Sequence, residues 1–357
     1  MFYPLKFKPV YKNYLWGGRN FEKFGRKLPE GIIAESWEIS CHPDGISIVS
    51  NGEFSGMPLP QLIQKFGRQL VGKSLSEKDV SKFPLLVKFI DANDRLSVQV
   101  HPDDAYAQLH ENEYGKNETW YIIYAHPGSK IVYGVKPGTT KDIFARAISE
   151  NRVEEYLRYI EVFPGDVFNV PAGLLHAIGE GIVLAEIQQN SNSTYRVYDY
   201  NRLDKNGNKR PLHIQKALDV IDFELSGRIE KSKGLEIKIG RCSIKKYLVA
   251  NKYYSIELYD IKEKTEEIAD GSKFYIYVFV DGEGKINYES GSIQVKCGES
   301  ILIPATMGAY SLEGNIKFIK SYVPDIKYDI IAPLMAAGYS KENIIEGINC
   351  CTVSHDI

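Results

Sequence analysis

PGDVFNVPAGLLHAIGEG (Pro164–Gly181) and CGESILIPATMGAYSLEG (Cys297–Gly314) follow one plan: Gly, an acidic residue, an apolar strand-like run, then Pro-Ala. Upstream of each stands a second matching pair, WYIIYAHPGSKIVYG (120–134) and YIYVFVDGEGKINYE (275–289), in the same order. Each reads as a strand, a turn and a returning strand, so one supersecondary unit occurs twice. The copies differ where chemistry resides. Gly173 and His176 of the first align with Thr306 and Ala309 of the second. One copy is expected to keep a working site and the other to serve as its structural partner.

The remainder of the chain agrees with a mainly β architecture. Runs such as FPLLVKFI, GIVLAEIQQ and YYSIELYDI are short, rich in β-branched and aromatic residues, and bounded by Gly and Pro. Helical spacing is rarer: LPQLIQKFGRQLVG, the stretch Thr139–Ile160, PLHIQKALDVIDF, and DIIAPLMAAGYSKENIIEGI near the end. The 357 residues suit one large or two moderate domains. A net charge of -2 argues against a nucleic-acid surface, which needs a basic excess. No apolar run approaches a membrane span and the first residues lack a signal-peptide core, so a cytoplasmic protein is expected. Five cysteines without CxxC spacing read as reduced thiols; the adjacent Cys350–Cys351 pair gives a redox role its one foothold.

In SVQVHPDD, residues two apart on a strand share a face, so Gln99 and His101 are offered together while Val98 and Val100 pack on the other side. Alone, such a pair reads as a hydrogen-bonded core pair. G-x5-P-x-G-x2-H at Gly165, Pro171, Gly173 and His176 resembles the second motif of the cupins, whose fold is a small jelly roll. Cupins take further metal ligands from a close pair followed by Glu, places filled here by Gln99, His101 and Glu118. The expected fold is therefore two cupin-type jelly-roll β-barrels with a few inserted helices. The expected division is 1–235 for the catalytic unit with helical insertions at about 58–82 and 139–160, 236–324 for the degenerate second unit, and 325–357 for a partly helical tail.

The resemblance narrows further. YLWGGRNFEKFG, IAESWEIS, FPLLVKFIDANDRLSVQVHPDD, KNETWYII and the block Val170–Arg202 are similar to the type I phosphomannose isomerases in their short bacterial form. The resemblance implies an aldose–ketose isomerase that interconverts mannose 6-phosphate and fructose 6-phosphate through an enediol. It also implies one Zn²⁺ per chain on Gln99, His101, Glu118 and His176, a redox-silent ion for a reaction without redox change. By the same resemblance Arg196 stands at the site's edge, Lys88 and Ser97 contact substrate, and Glu186 leads Lys116 as the proton-transfer base. Some family members carry His immediately before that lysine; this chain has Gly115, so no mechanism using that histidine carries over.

Partners are expected to be a small sugar phosphate, with no nucleic acid and no membrane, and the choice between monomer and homodimer stays open. Two other readings remain beside the first: another metal-dependent cupin enzyme, whether sugar-phosphate isomerase or iron oxygenase, and a non-catalytic sugar-phosphate-binding cupin. His42, His110, His126 and His355 lie in polar turns and read as surface residues, and His213 as a structural one near a helix start.

Overall fold

The computed structural model describes residues 1–203, 206–225 and 231–348, so Cys350, Cys351 and His355 lie outside the described residues. Its strands fall into three sheets. The six-stranded sheet runs, edge to edge, Val167–Val170, Glu118–Ala125, Ile182–Gln189, Leu85–Ala92, Glu35–Ile39, Val10–Lys12, all antiparallel. The five-stranded sheet runs Tyr195–Tyr198, Val98–Val100, His176–Ile178, Lys130–Val135, Leu157–Glu161. These two pack face to face over Trp120, Ile122, Tyr133, Phe168, Val170, Ile178 and Leu184. None of the three sheets closes on itself through hydrogen bonds, so the jelly-roll interior is enclosed by packing rather than by a continuous ladder.

The central strands Leu85–Ala92 and Ile182–Gln189 are buried at every residue. Covered on both faces, they carry apolar residues on either side instead of alternating, interrupted by Lys88, Asp91, Glu186, Gln188 and Gln189. Their outer face, with Val87, Phe89, Ala185 and Ile187, packs against Phe274, Ile276, Val278 and Ile319 of the second unit. The second unit is a branched ten-stranded sheet built on two long strands, Tyr275–Tyr288 and Gly308–Tyr322. A register shift between Phe279 and Asp281 marks where the first of these bends, as bulges do. The repeat is real at the backbone: Gly165 and Gly298 both take left-handed φ, +91° and +81°. Each opens the turn into a short strand, Val167–Val170 or Ser300–Ile303.

Three features depart from the sequence reading. The stretch 139–160 is helical over Lys141–Ser149 and turns once more at Val153–Tyr156, but Leu157–Glu161 is a strand. Leu157 and Ile160 fit a helical spacing, yet the open edge of Lys130–Val135 supplies a hydrogen-bonding partner that a helix would forgo. The helix Asp104–His110, capped by the Asp103 side chain, was not expected. Leu5–Lys8 and Ile48–Val49, placed by number in the first unit, belong to the second unit's sheet, where Leu5 pairs with Leu302. Among the described residues no helix is long and apolar enough to cross a membrane.

Candidate active site

Register sets the two walls of the site. On the six-stranded sheet Glu186 lies opposite both Lys88 and Trp120, and Trp37 opposite Lys88, so these form one inward row; Glu118 projects from the same face two residues from Trp120. On the facing sheet Arg196, Gln99, His176 and Tyr133 form the matching row. Val98 and Val100 point away into a separate cluster with Phe144 and Leu218, as alternation requires. His101 follows its strand, and its carbonyl accepts from Gly173 N at 2.9 Å. Gly173 has φ of +88°, a conformation that residues with side chains rarely adopt, which ties the turn before His176 to the ligand pair.

The ligand atoms of His101, Glu118 and His176 all lie within 4.8 Å of one another, and all three residues are buried. His101 Nε2 is 3.3 Å from Glu118 Oε2, and His176 Nε2 is 3.4 Å from Oε1. Each imidazole spends its other nitrogen on a backbone carbonyl: His101 Nδ1 on Ser193 O at 2.9 Å, His176 Nδ1 on Leu174 O at 2.8 Å. Those bonds put the proton on Nδ1 and leave both Nε2 lone pairs facing the carboxylate. Gln99 joins them, its amide nitrogen 3.5 Å from His176 Nε2, and a half-turn of the amide offers its oxygen instead.

Burial pulls the His101 pKa down to about 3, aided by the Lys116 charge, and burial lowers that of His176, so both rings are neutral. Burial works to raise Glu118, but the Lys116 ammonium beside it overrides that and holds the carboxyl well below the usual range. Neither Glu118 oxygen accepts a hydrogen bond, although Lys116 Nζ stands 3.1 Å from Oε2 and 3.0 Å from His101 Nε2. Lys116 supplies one cation beside Oε2, but two imidazole lone pairs facing the same buried carboxylate remain costly unless a further cation sits among them. Two nitrogens, a carboxylate and an amide oxygen suit a borderline divalent ion with a position left open.

Lys88, Ser97, Gln99, Lys116, Glu186 and Arg196 line a pocket of about 280 Å³, which borders the His101, Glu118 and His176 group through Gln99 and Lys116. All nine residues expected at the site thus meet in one place. Their settings differ from a simple substrate-contact picture. Lys88 is buried between Glu35 and Glu186, 3.6 and 3.4 Å away. Burial would lower its pKa, but those two carboxylates raise it. Glu186 receives Trp120 Nε1 at 3.0 Å on one oxygen, and its pKa is raised by burial and by the Glu118 charge. Arg196 Nε donates to Ser97 Oγ at 3.2 Å, and its Nη1 to Pro211 O. At Gly115 a Cβ would run into the backbone of Asp103 and Asp104, so a histidine there has no room.

The sequence reading missed Glu35, Arg210, Asn192 and Thr194, which also line the pocket. Glu35 was legible in principle: in ESWEI it shares a face with Trp37, whose indole donates to it at 2.7 Å. His42 corrects an expectation, being buried and bonded to Glu113 Oε1 at 3.1 Å rather than solvated.

Comparison with known proteins places this geometry. The model for the phosphomannose isomerase type I catalytic domain matches residues 4–128, and that for the mannose-6-phosphate isomerase cupin domain matches 243–323. Mannose-6-phosphate isomerase of Streptococcus mutans is 36% identical over 89% of this chain and 98% of its own length. A Bacillus subtilis mannose-6-phosphate isomerase is 36% identical over 90% of this chain and 99% of its own length. The crystal structure of the mannose 6-phosphate isomerase from Bacillus subtilis superposes with a TM-score of 0.82 at 35% identity, covering 89% of this chain and 99% of that one. With the duplicated β units, the inward-facing His, Glu and His, and relatives matched end to end, the chain belongs to the type I phosphomannose isomerase family, a family of enzymes.

Proposed function

We propose that the chain interconverts mannose 6-phosphate and fructose 6-phosphate through an enediol, using one Zn²⁺ held by Gln99, His101, Glu118 and His176. The observation that carries this is the buried Glu118 carboxylate, paired with Lys116 and with its two oxygens faced by the Nε2 atoms of His101 and His176, beside the pocket that Gln99 and Lys116 line. When bound, the ion supplies Lewis-acid polarisation of the sugar's oxygens at carbons 1 and 2, worth several kcal/mol or on the order of a thousandfold in rate.

The rest falls to the chain's own residues. Glu186, raised in pKa by burial, takes the proton from carbon 2 and returns it to carbon 1, with Lys116 the second candidate. Lys88, wedged between Glu35 and Glu186, limits how far that pKa rises while contacting substrate at the pocket wall. Ser97 and Arg196, already paired at 3.2 Å, offer hydroxyl and guanidinium donors to the anionic end of the sugar. Trp16, Ile90 and Ile178 line the pocket's apolar side. A coupled assay with mannose 6-phosphate should show turnover that disappears with chelator and returns with added zinc. Undiminished turnover in a rigorously metal-free preparation would defeat the reading.

A further inference from the structure

Outside the pocket, one carboxylate has an unusual concentration of donors. Glu113 Oε2 accepts from Ser191 Oγ at 2.9 Å, Asn192 N at 3.1 Å and Ser193 Oγ at 2.8 Å, while Oε1 pairs with His42 Nε2 at 3.1 Å. The three serine and asparagine donors are consecutive residues of the loop between the strands Ile182–Gln189 and Tyr195–Tyr198. The middle one, Asn192, lines the pocket. The last, Ser193, contributes the carbonyl that accepts the His101 Nδ1 proton at 2.9 Å.

A loop of polar residues has no apolar contacts to hold its backbone, and its conformation is set by whatever satisfies its hydrogen-bonding groups. Here one ionised carboxylate satisfies three of them in a row. His42 is itself fixed: it is buried, its Nδ1 accepts from Asp44 N at 3.1 Å, and its ring meets Trp37 edge-on. That leaves its Nε2 proton for Glu113. A continuous path therefore runs from the His42 ring through Glu113 and the Ser191–Ser193 loop to the His101 tautomer.

We propose that Glu113 is a positioning residue for the metal centre: by holding the Ser193 carbonyl in place, it keeps the His101 proton on Nδ1 and its Nε2 lone pair aimed at the metal. This rests on the metal reading above, and acts at one remove from the ligand. Outer partners of ligating histidines typically change metal affinity about 10- to 100-fold when removed, and the longer path here places the effect near the lower figure.

The test compares the full chain with Glu113→Gln, which keeps the size but faces three donors with an amide, and with Glu111→Gln as control. Glu111 sits two residues away and bonds Tyr195 Oη and Lys216 instead. Imidazole ¹⁵N spectra of the metal-free proteins report the His101 tautomer, and competition with a chromophoric chelator reports the Zn²⁺ dissociation constant. Expected for Glu113→Gln are loss of the pure Nδ1-protonated pattern at His101 and about tenfold weaker zinc binding, with Glu111→Gln matching the parent. An unchanged His101 pattern in Glu113→Gln overturns the proposal, whatever happens to affinity or melting temperature. So does an equal change in the control. If the parent chain binds no zinc, the metal reading fails, while the His101 spectra still decide whether Glu113 sets the tautomer.

Discussion

In the first unit the space between the sheets holds His101, Glu118, His176, Lys88 and Glu186, every one of them buried. The second unit fills its interior with Tyr259, Tyr277, Phe279, Tyr310 and Phe318, the Tyr277 and Tyr310 hydroxyls meeting at 2.5 Å. Sequence alignment sets Ala309 against His176, but Ala309 is exposed and Tyr310 is the residue pointing inward. The left-handed glycine of the turn explains the slip. It stands three residues before His176 in one copy and immediately before Ala309 in the other. A strand shifted by one residue turns its whole side-chain set to the opposite face. The second unit thus differs by register as well as by the loss of an imidazole.

The sharpest way to break this contrast is to disarm the first interior. His176→Ala should cost about a thousandfold or more in kcat/KM together with the bound metal, read by the coupled assay and by metal analysis. Glu186→Gln sharpens the division of labour inside that interior. Metal content should stay at the parental level while kcat falls about a hundredfold or more, as for loss of a proton-transfer group. In the second unit the cost should move from rate to stability. Phe279→Ala is expected to lose about 3–5 kcal/mol by chemical denaturation, with kcat of the folded protein unchanged. The smallest effect belongs to Ala309→His. Restoring the aligned imidazole should create no second metal site and shift stability by less than about 0.5 kcal/mol, because the side chain emerges into solvent. A second equivalent of zinc bound there would show the register argument to be wrong.

These outcomes bear on how much of the molecule could be read from its sequence. Alternation placed Gln99 and His101 on one face, and the resemblance to the cupin motifs brought Glu118 and His176 to them. Local periodicity is written in neighbouring residues, so it survives without a structure. Glu113, His42 and the Ser191–Ser193 loop were invisible because their bonds join residues 71 to 80 positions apart. Nothing in LHENE or CHPDG announces the other. Glu35 is an intermediate case: its face could be read beside Trp37 in ESWEI, but its pairing with Lys88 comes from another strand. Leu157–Glu161 failed for the opposite reason: its own pattern was ambiguous, and a neighbour's vacant edge decided it.

The pairing of Leu5–Lys8 with Ser300–Ile303 has a consequence for how the chain is made. The strand Leu5–Lys8 can meet Ile48–Val49 early, but its other neighbour, Ser300–Ile303, must first leave the ribosome. Pairings so distant along the polypeptide form slowly, since a long loop must close before they return anything. Without Leu5–Lys8, Ser300–Ile303 would be paired with Tyr275–Val278 on one side and present on the other a bare ladder of amides and carbonyls, the kind of edge through which nascent chains stick to one another. Two segments far apart in sequence are thereby clasped together. Deleting the first eight residues would spare every catalytic group and still leave the far half of the protein unfinished.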